Sequence, residues 1–171
     1  MSRSRLVKSI VNVLFFTRRK IRKIKDLHQF AAGVCRNVSK LRGGGEICVI
    51  FITDVEIKKI NRRFLDKNRA TDVIAFNYAS SCRGAARRAP TGFRNAVPFG
   101  DIYISLDTAM RRAKIGRYPY CSELALLVAH GLLHLSGYRD YIYADRIQMF
   151  TRQKRLFREL RPDLAPPDFR V

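Results

Sequence analysis

His130-Gly131-Leu132-Leu133-His134-Leu135-Ser136-Gly137-Tyr138-Arg139-Asp140 is the stretch from which the rest of this chain can be read. Two of the chain's three histidines stand here, four residues apart in an apolar run, which on a helix stacks both imidazoles on one face, one turn apart. Gly137 follows where a helix ends most readily with a left-handed residue, so the chain can turn back and carry Asp140 towards the rings. His, three residues, His, five residues, Asp is a spacing that suits three metal ligands, with a fourth position left for water or substrate. Two satisfied core histidines are the other reading of the same pair.

The helix that carries them is expected from about Pro119 to Ser136. Pro119 suits its first turn, Glu123 sits near the positive end of its dipole, and Leu124, Leu127, Val128 and Leu132 recur at helical spacing. An apolar helix with two imidazoles needs partners for their nitrogens, because a buried unsatisfied polar group costs on the order of 1–3 kcal/mol. A metal ion supplies such a partner.

Working outward, Ile10 to Phe16 alternates as a first strand and about Arg18 to Val38 is expected to be helical, with Ile21, Ile24, Leu27, Ala31 and Val34 on one stripe. After Gly43-Gly44-Gly45, the run Ile47 to Thr53 has no polar face and reads as a strand covered on both sides. Asp54 is placed to cap a helix over Val55 to Leu65. Val73 to Tyr78 and Ile102 to Ser105 are expected strands, with Gly100 and Asp101 leading into the second. A helix follows from Asp107, and an amphipathic last helix from about Tyr143 to Leu160. Residues 79–99, rich in Ala, Arg, Ser, Gly and Pro, read as a loop, and 162–171 as an irregular tail. A single domain over 1–161 is therefore expected, without repeats.

The chain has 171 residues and a formal charge of +20, with 34 Lys and Arg against 14 Asp and Glu. That length buries a core without staples, and that charge points to a polyanion, most commonly nucleic acid. Basic residues gather between Arg18 and Lys25, at Arg62, Arg63, Lys67 and Arg69, at Arg83, Arg87, Arg88 and Arg94, and from Arg152 to Arg161. Solvated faces of a generally basic protein are the plainer account of the same clusters. The four cysteines, Cys35, Cys48, Cys82 and Cys121, lack metal-ligand spacing and read as reduced thiols of a cytosolic compartment. No apolar run approaches the roughly 20 residues that span a bilayer. The basic start and SIVNVLFF resemble a short leader, but TRRK follows and no small-residue cleavage site is visible, so an unprocessed soluble chain is expected.

Three separate runs then carry a family resemblance. HGLLHLSGYRD (130–140) is similar to the HGxLHLxGYDH signature of the YbeY family of bacterial metal-dependent endoribonucleases. INRRFLDKNRATDVIAF (60–76) resembles that family's LNxxFRxxDxPTDVLSF segment, and GDIYIS (100–105) its GDIxIS strand. The resemblance covers about Ile47 to Phe150 and keeps the order of the motifs. It implies a zincin-like α+β domain, in which a small mixed sheet of about four strands packs with helices and the metal helix lies beside a cleft. It further implies one zinc ion on His130, His134 and Asp140, cleavage of single-stranded RNA, and a cytoplasmic role in maturing the 3′ end of the 16S ribosomal RNA and in ribosome quality control. The implied partners are ribosomal RNA and the small ribosomal subunit.

Asp140 stands where the family usually has a third histidine. A carboxylate there is an acceptable zinc ligand, and its charge should weaken Lewis acidity relative to three imidazoles. Leu65 stands where the family typically has an arginine that faces RNA; Arg62 and Arg63 are the nearby candidates to replace it. Tyr78, Tyr103 and Phe76 are candidates to stack a base, or else core aromatics. A metalloprotease would carry glutamate directly after the first histidine as general base, and that position is Gly131. A non-catalytic RNA-binding assembly factor, with a structural or weakly held metal, stays open beside the enzyme.

Overall fold

The computed structural model describes residues 12–38, 41, 45–78 and 98–164. Its elements run β1 (Asn12–Thr17), α1 (Ile24–Asn37), β2 (Glu46–Ile52), α2 (Asp54–Leu65), β3 (Val73–Asn77), β4 (Pro98–Ser105), α3 (Leu106–Gly116), α4 (Tyr120–Leu135) and α5 (Tyr143–Leu160). The sheet has the order β1-β2-β4-β3. β1 and β4 both pair in parallel with β2, while β3 runs antiparallel along the outer edge of β4. The expected four-stranded mixed α+β architecture is the one observed.

Strand alternation explains the two faces of this sheet. Ile47, Val49 and Phe51 of β2 and Ile102 and Ile104 of β4 are buried in one core with Leu27, Phe30 and Val34 of α1 and Leu124, Val128 and Leu132 of α4. α5 closes that core with Met149, Leu156 and Phe157. On the other face, Phe76 meets Phe64 of α2 and Tyr103 of β4 edge-on, at 5.3 and 6.0 Å between ring centroids. β2 is fully buried on that first face and partly covered on the other, where Cys48 is buried and Ile50 and Ile52 are half-buried.

Several boundaries differ from the expected ones for physical reasons. The cap of α2 is Thr53, not Asp54: Thr53 and Glu56 form a reciprocal capping box. Asp54 instead accepts hydrogen bonds from Thr108 Oγ1 at 2.7 Å and Ser105 Oγ, while Asp107 accepts from Asp54 N at 2.9 Å, so the two helix starts lock together. α1 begins only at Ile24, because Lys23 before it is left-handed (φ 56°); Ile21 is buried all the same, which is why its stripe reads through the bend. β4 starts at Pro98, four residues earlier than its apolar run, and Gly100 and Asp101 are strand residues paired on both sides. Leu164, in a short 3-10 turn over Pro162–Leu164, is buried in the core.

Ile10 and Val11, Gly43 and Gly44, the loop over 79–97 with Cys82, Arg83, Arg87, Arg88 and Arg94, and the tail over 165–171 lie outside the described residues. Among the described residues, Cys35, Cys48 and Cys121 form no disulfide. No described helix is long and apolar enough to cross a membrane.

Candidate metal centre

α4 is an apolar helix buried on most sides, and one small residue sets how closely it rides on the sheet. A Cβ at Gly131 would stand 2.5 Å from Cγ2 of Ile102, so only glycine lets the helix sit this near β4. Asn77 at the end of β3 donates to the Leu135 carbonyl at 2.6 Å and ties the edge strand to the last turn of α4. The helix then ends at Ser136, and Gly137 takes φ 92°, the left-handed geometry that turns the chain back.

That turn brings His130, His134 and Asp140 together, as the spacing predicts. His130 Nε2 and His134 Nε2 are 3.0 Å apart, and Asp140 Oδ2 lies 3.7 Å from the first and 3.6 Å from the second. His134 Nδ1 is 3.0 Å from the Tyr138 carbonyl. A carbonyl only accepts, so Nδ1 carries the proton and the Nε2 lone pair points into the group. Burial pushes His130 down to about 4, with His134 acting in the same direction and Asp72 and Asp140 opposing it, so the ring is neutral at physiological pH.

Three lone-pair atoms that converge in this way need a proton or a cation between them. The circle through the three atoms has a radius of about 2.0 Å, which is the bond length zinc makes to imidazole nitrogen and carboxylate oxygen. The donor set therefore fits a divalent metal ion. The side chains keep between a quarter and two fifths of their surface, at 27, 27 and 39%, so the group is reachable from solvent.

Matched to the family model described as Endoribonuclease YbeY, residues 9–161 agree with it. The chain belongs to the YbeY endoribonuclease family. Proteins named Endoribonuclease YbeY from Bacillus thuringiensis (strain Al Hakam) and Bacillus cereus (strain AH187) are each 34% identical over 124 residues, which is 72% of this chain and 78% of theirs. A Thermotoga maritima protein solved in solution superposes with a TM-score of 0.55 at 23% identity, over 95% of this chain and 99% of that one. That likeness carries the fold alone.

Other expected site residues fall elsewhere. Arg62 and Arg63 are exposed in the last turn of α2, with Arg63 over the ring of Phe64 at 5.4 Å. Tyr78 and Tyr103 donate to the buried carboxylate of Asp101, at 2.9 and 3.3 Å, and burial raises Tyr103 to about 12 and Asp101 above its ordinary value. These two rings are held in the sheet by their hydroxyls, so neither is a free stacking platform.

Sequence reasoning missed a second polar group on α4. Glu123 is 1% exposed, accepts from the Tyr118 hydroxyl at 2.5 Å, and has Arg112 Nη1 at 3.7 Å from Oε1. Arg112 also pairs with Asp72. Glu123 stands seven residues, two turns, before His130 on the same face, and the charges of Asp72 and Arg112 reach His130. Tyr118 and Glu123 are close in sequence, yet nothing local announces that Glu123 is buried.

Proposed function

We propose that this protein is a metal-dependent endoribonuclease that cleaves single-stranded RNA, with His130, His134 and Asp140 as ligands of one zinc ion. The observation that carries the reading is the convergence of three donor atoms at metal-bond radius on a solvent-reachable edge of α4. Family membership and the +20 charge support it, since a strongly basic surface favours a polyanionic substrate. The activity belongs to a single domain over residues 1–161. Its substrate is ribosomal RNA of the small subunit, at the 3′ end of the 16S molecule, in the cytoplasm.

A bound divalent metal supplies Lewis acidity towards a phosphate oxygen and makes water a nucleophile near neutral pH. The chain's own part is to present ligands without reorganisation. The Tyr138 carbonyl fixes the tautomer and tilt of His134, and the depressed basicity of His130 keeps its ring neutral, the form that ligates a metal. Asp140 adds a negative ligand, which weakens the pull of the ion on its substrate relative to a third imidazole. Arg62 and Arg63 hold phosphates of the strand and stand in for the positive charge lost at Leu65. Gly131 occupies the place of a protease's general base, and its contact with Ile102 leaves no room for a side chain there.

The test is incubation of the purified protein with ribosomal RNA, with and without chelator, beside His130→Ala. Metal-dependent cleavage lost in the variant is the expected result. RNA binding without metal-dependent cleavage would establish the assembly-factor reading instead.

A further inference from the structure

The loop that carries Asp140 has a second side. Residues 136–139 also form one wall of a cavity of about 690 Å³, closed opposite by α5 and the end of α1. Arg139, Arg152 and Arg155 line it, with Thr151 and Gln148 between them and Asp145 as the one carboxylate among the lining residues described. Arg152 is held by a bond to the Asn37 carbonyl at 2.7 Å, which positions its guanidinium without cancelling its charge. Arg155 is paired with Glu159 at 2.6 Å. Arg139 is exposed and has no carboxylate partner among the described residues. Arg139 and Asp140 are neighbours in the chain, so the cationic wall begins about 3.8 Å of backbone from the metal group.

Directly after Asp140, three large side chains face water together: Tyr141 is 82% exposed, Ile142 60% and Tyr143 65%. A wall of arginines and, next along the chain, exposed aromatic rings are the two parts of a site for single-stranded nucleic acid, where phosphates meet arginines and unpaired bases stack on rings. We propose that this cavity and the Tyr141–Tyr143 strip form a second subsite, holding the phosphates and a base of single-stranded RNA beside the metal group. The inference rests on the RNA reading above and assigns the strand a path along α5.

The test is the affinity of a short fluorescein-labelled single-stranded RNA for the full chain, with chelator present so that binding is read without cleavage, over a series of salt concentrations. Arg139→Ala and Arg152→Gln are the charge variants. Each should weaken binding and flatten the slope of log affinity against log salt by about 0.7 for every phosphate no longer neutralised. Tyr141→Ala should weaken binding about tenfold while Tyr141→Phe keeps it, since the ring and not the hydroxyl stacks. Wild-type affinity and slope in all of these variants would overturn the subsite. If the wild type also cleaves RNA, only the subsite fails. If the variants are weakened and no metal-dependent cleavage is found, the subsite stands and the nuclease reading fails. A wild type that does not bind RNA sinks both.

Discussion

The two ends of α4 each gather buried or half-buried polar groups, and they solve opposite problems. Near its start, Glu123 lies in the core with partners that the protein itself provides: the Tyr118 hydroxyl donates to Oε2, and the Arg112 guanidinium stands 3.7 Å from Oε1, which takes no hydrogen bond among the described residues. Near its end, His130, His134 and Asp140 bring two imidazole nitrogens and a carboxylate oxygen together, and the described residues place no cation among them. Burial pushes the first site towards a protonated carboxyl and the second towards neutral imidazoles. A polar cluster that brings its own donor and cation is structural, whereas one that converges three metal-ligating atoms without a cation suits a ligand. Charge count alone does not separate the two.

The largest expected effect breaks the comparison at the histidine end. His134→Ala should abolish stoichiometric metal uptake, measured by equilibrium dialysis with elemental analysis, and leave the thermal unfolding of the metal-free protein close to wild type. Uptake that survived His134→Ala would remove the distinction between the two ends. Asp140→Ala should weaken uptake as well, and undiminished binding in that variant would strike Asp140 from the ligand set. Asp140→His is expected to restore it.

At the glutamate end the effect is on folding. Glu123→Ala strands the Tyr118 hydroxyl beside a new void and should cost about 2–4 kcal/mol in denaturant unfolding, with metal uptake retained. Glu123→Gln keeps the shape and isolates the pH dependence. The carboxyl of Glu123 is raised above its ordinary 4.5 by burial, against the pull of Tyr118 and Arg112. Its folded form therefore takes up a proton at higher pH than its unfolded form. The stability it contributes is fully present below about 4.5 and is lost as pH rises through the raised value. Wild type should gain on the glutamine variant as pH falls through that window, and parallel stability curves would show that Glu123 is not desolvated.

Between the ends, Gly131 tests whether the close seat of α4 on β4 is required. Alanine improves helix propensity by up to about 1 kcal/mol, yet its methyl meets the branched Cγ2 of Ile102 at 2.5 Å, and overpacking of that kind costs about 1–3 kcal/mol. A net loss of roughly 1–2 kcal/mol, read as a lower Tm, is expected. An unchanged Tm would mean that the helix can lift without penalty.

These two ends also differ in how far they are legible in the sequence. The histidine end is readable because its geometry is local: two ligands one turn apart and a third carried back by Gly137, whose φ of 92° is the left-handed stop expected there. The glutamate end is not, because Asp72, Arg112 and Glu123 come from three segments that only the fold assembles. Glu123 reads as a partner of the helix dipole, and its burial follows from β3 and α3 packing over it. Asp101 misleads for a related reason. An Asp after Gly signals a turn, and only the distant hydroxyls of Tyr78 and Tyr103 make it tolerable inside a strand. The α2 cap is different again, since Thr53-x-x-Glu56 is a local pattern and Asp54 simply competes with it.

The smallest expected effect sharpens what closes the glutamate end. Glu123 has two partners, and they are unequal: the Tyr118 hydroxyl touches Oε2, while Arg112 stands 3.7 Å from Oε1 with half its side chain in water. Solvent screens a half-exposed guanidinium, so its attraction is worth less than about 1 kcal/mol. A hydrogen bond to a buried carboxyl is worth about 1–2 kcal/mol. Tyr118→Phe should therefore destabilise the protein more than Arg112→Ala. The reverse order, measured by denaturant unfolding at neutral pH, would make Arg112 the principal neutraliser of Glu123. The two ends of α4 would then differ by the presence of one cation, which is the component that the histidine end draws from solution.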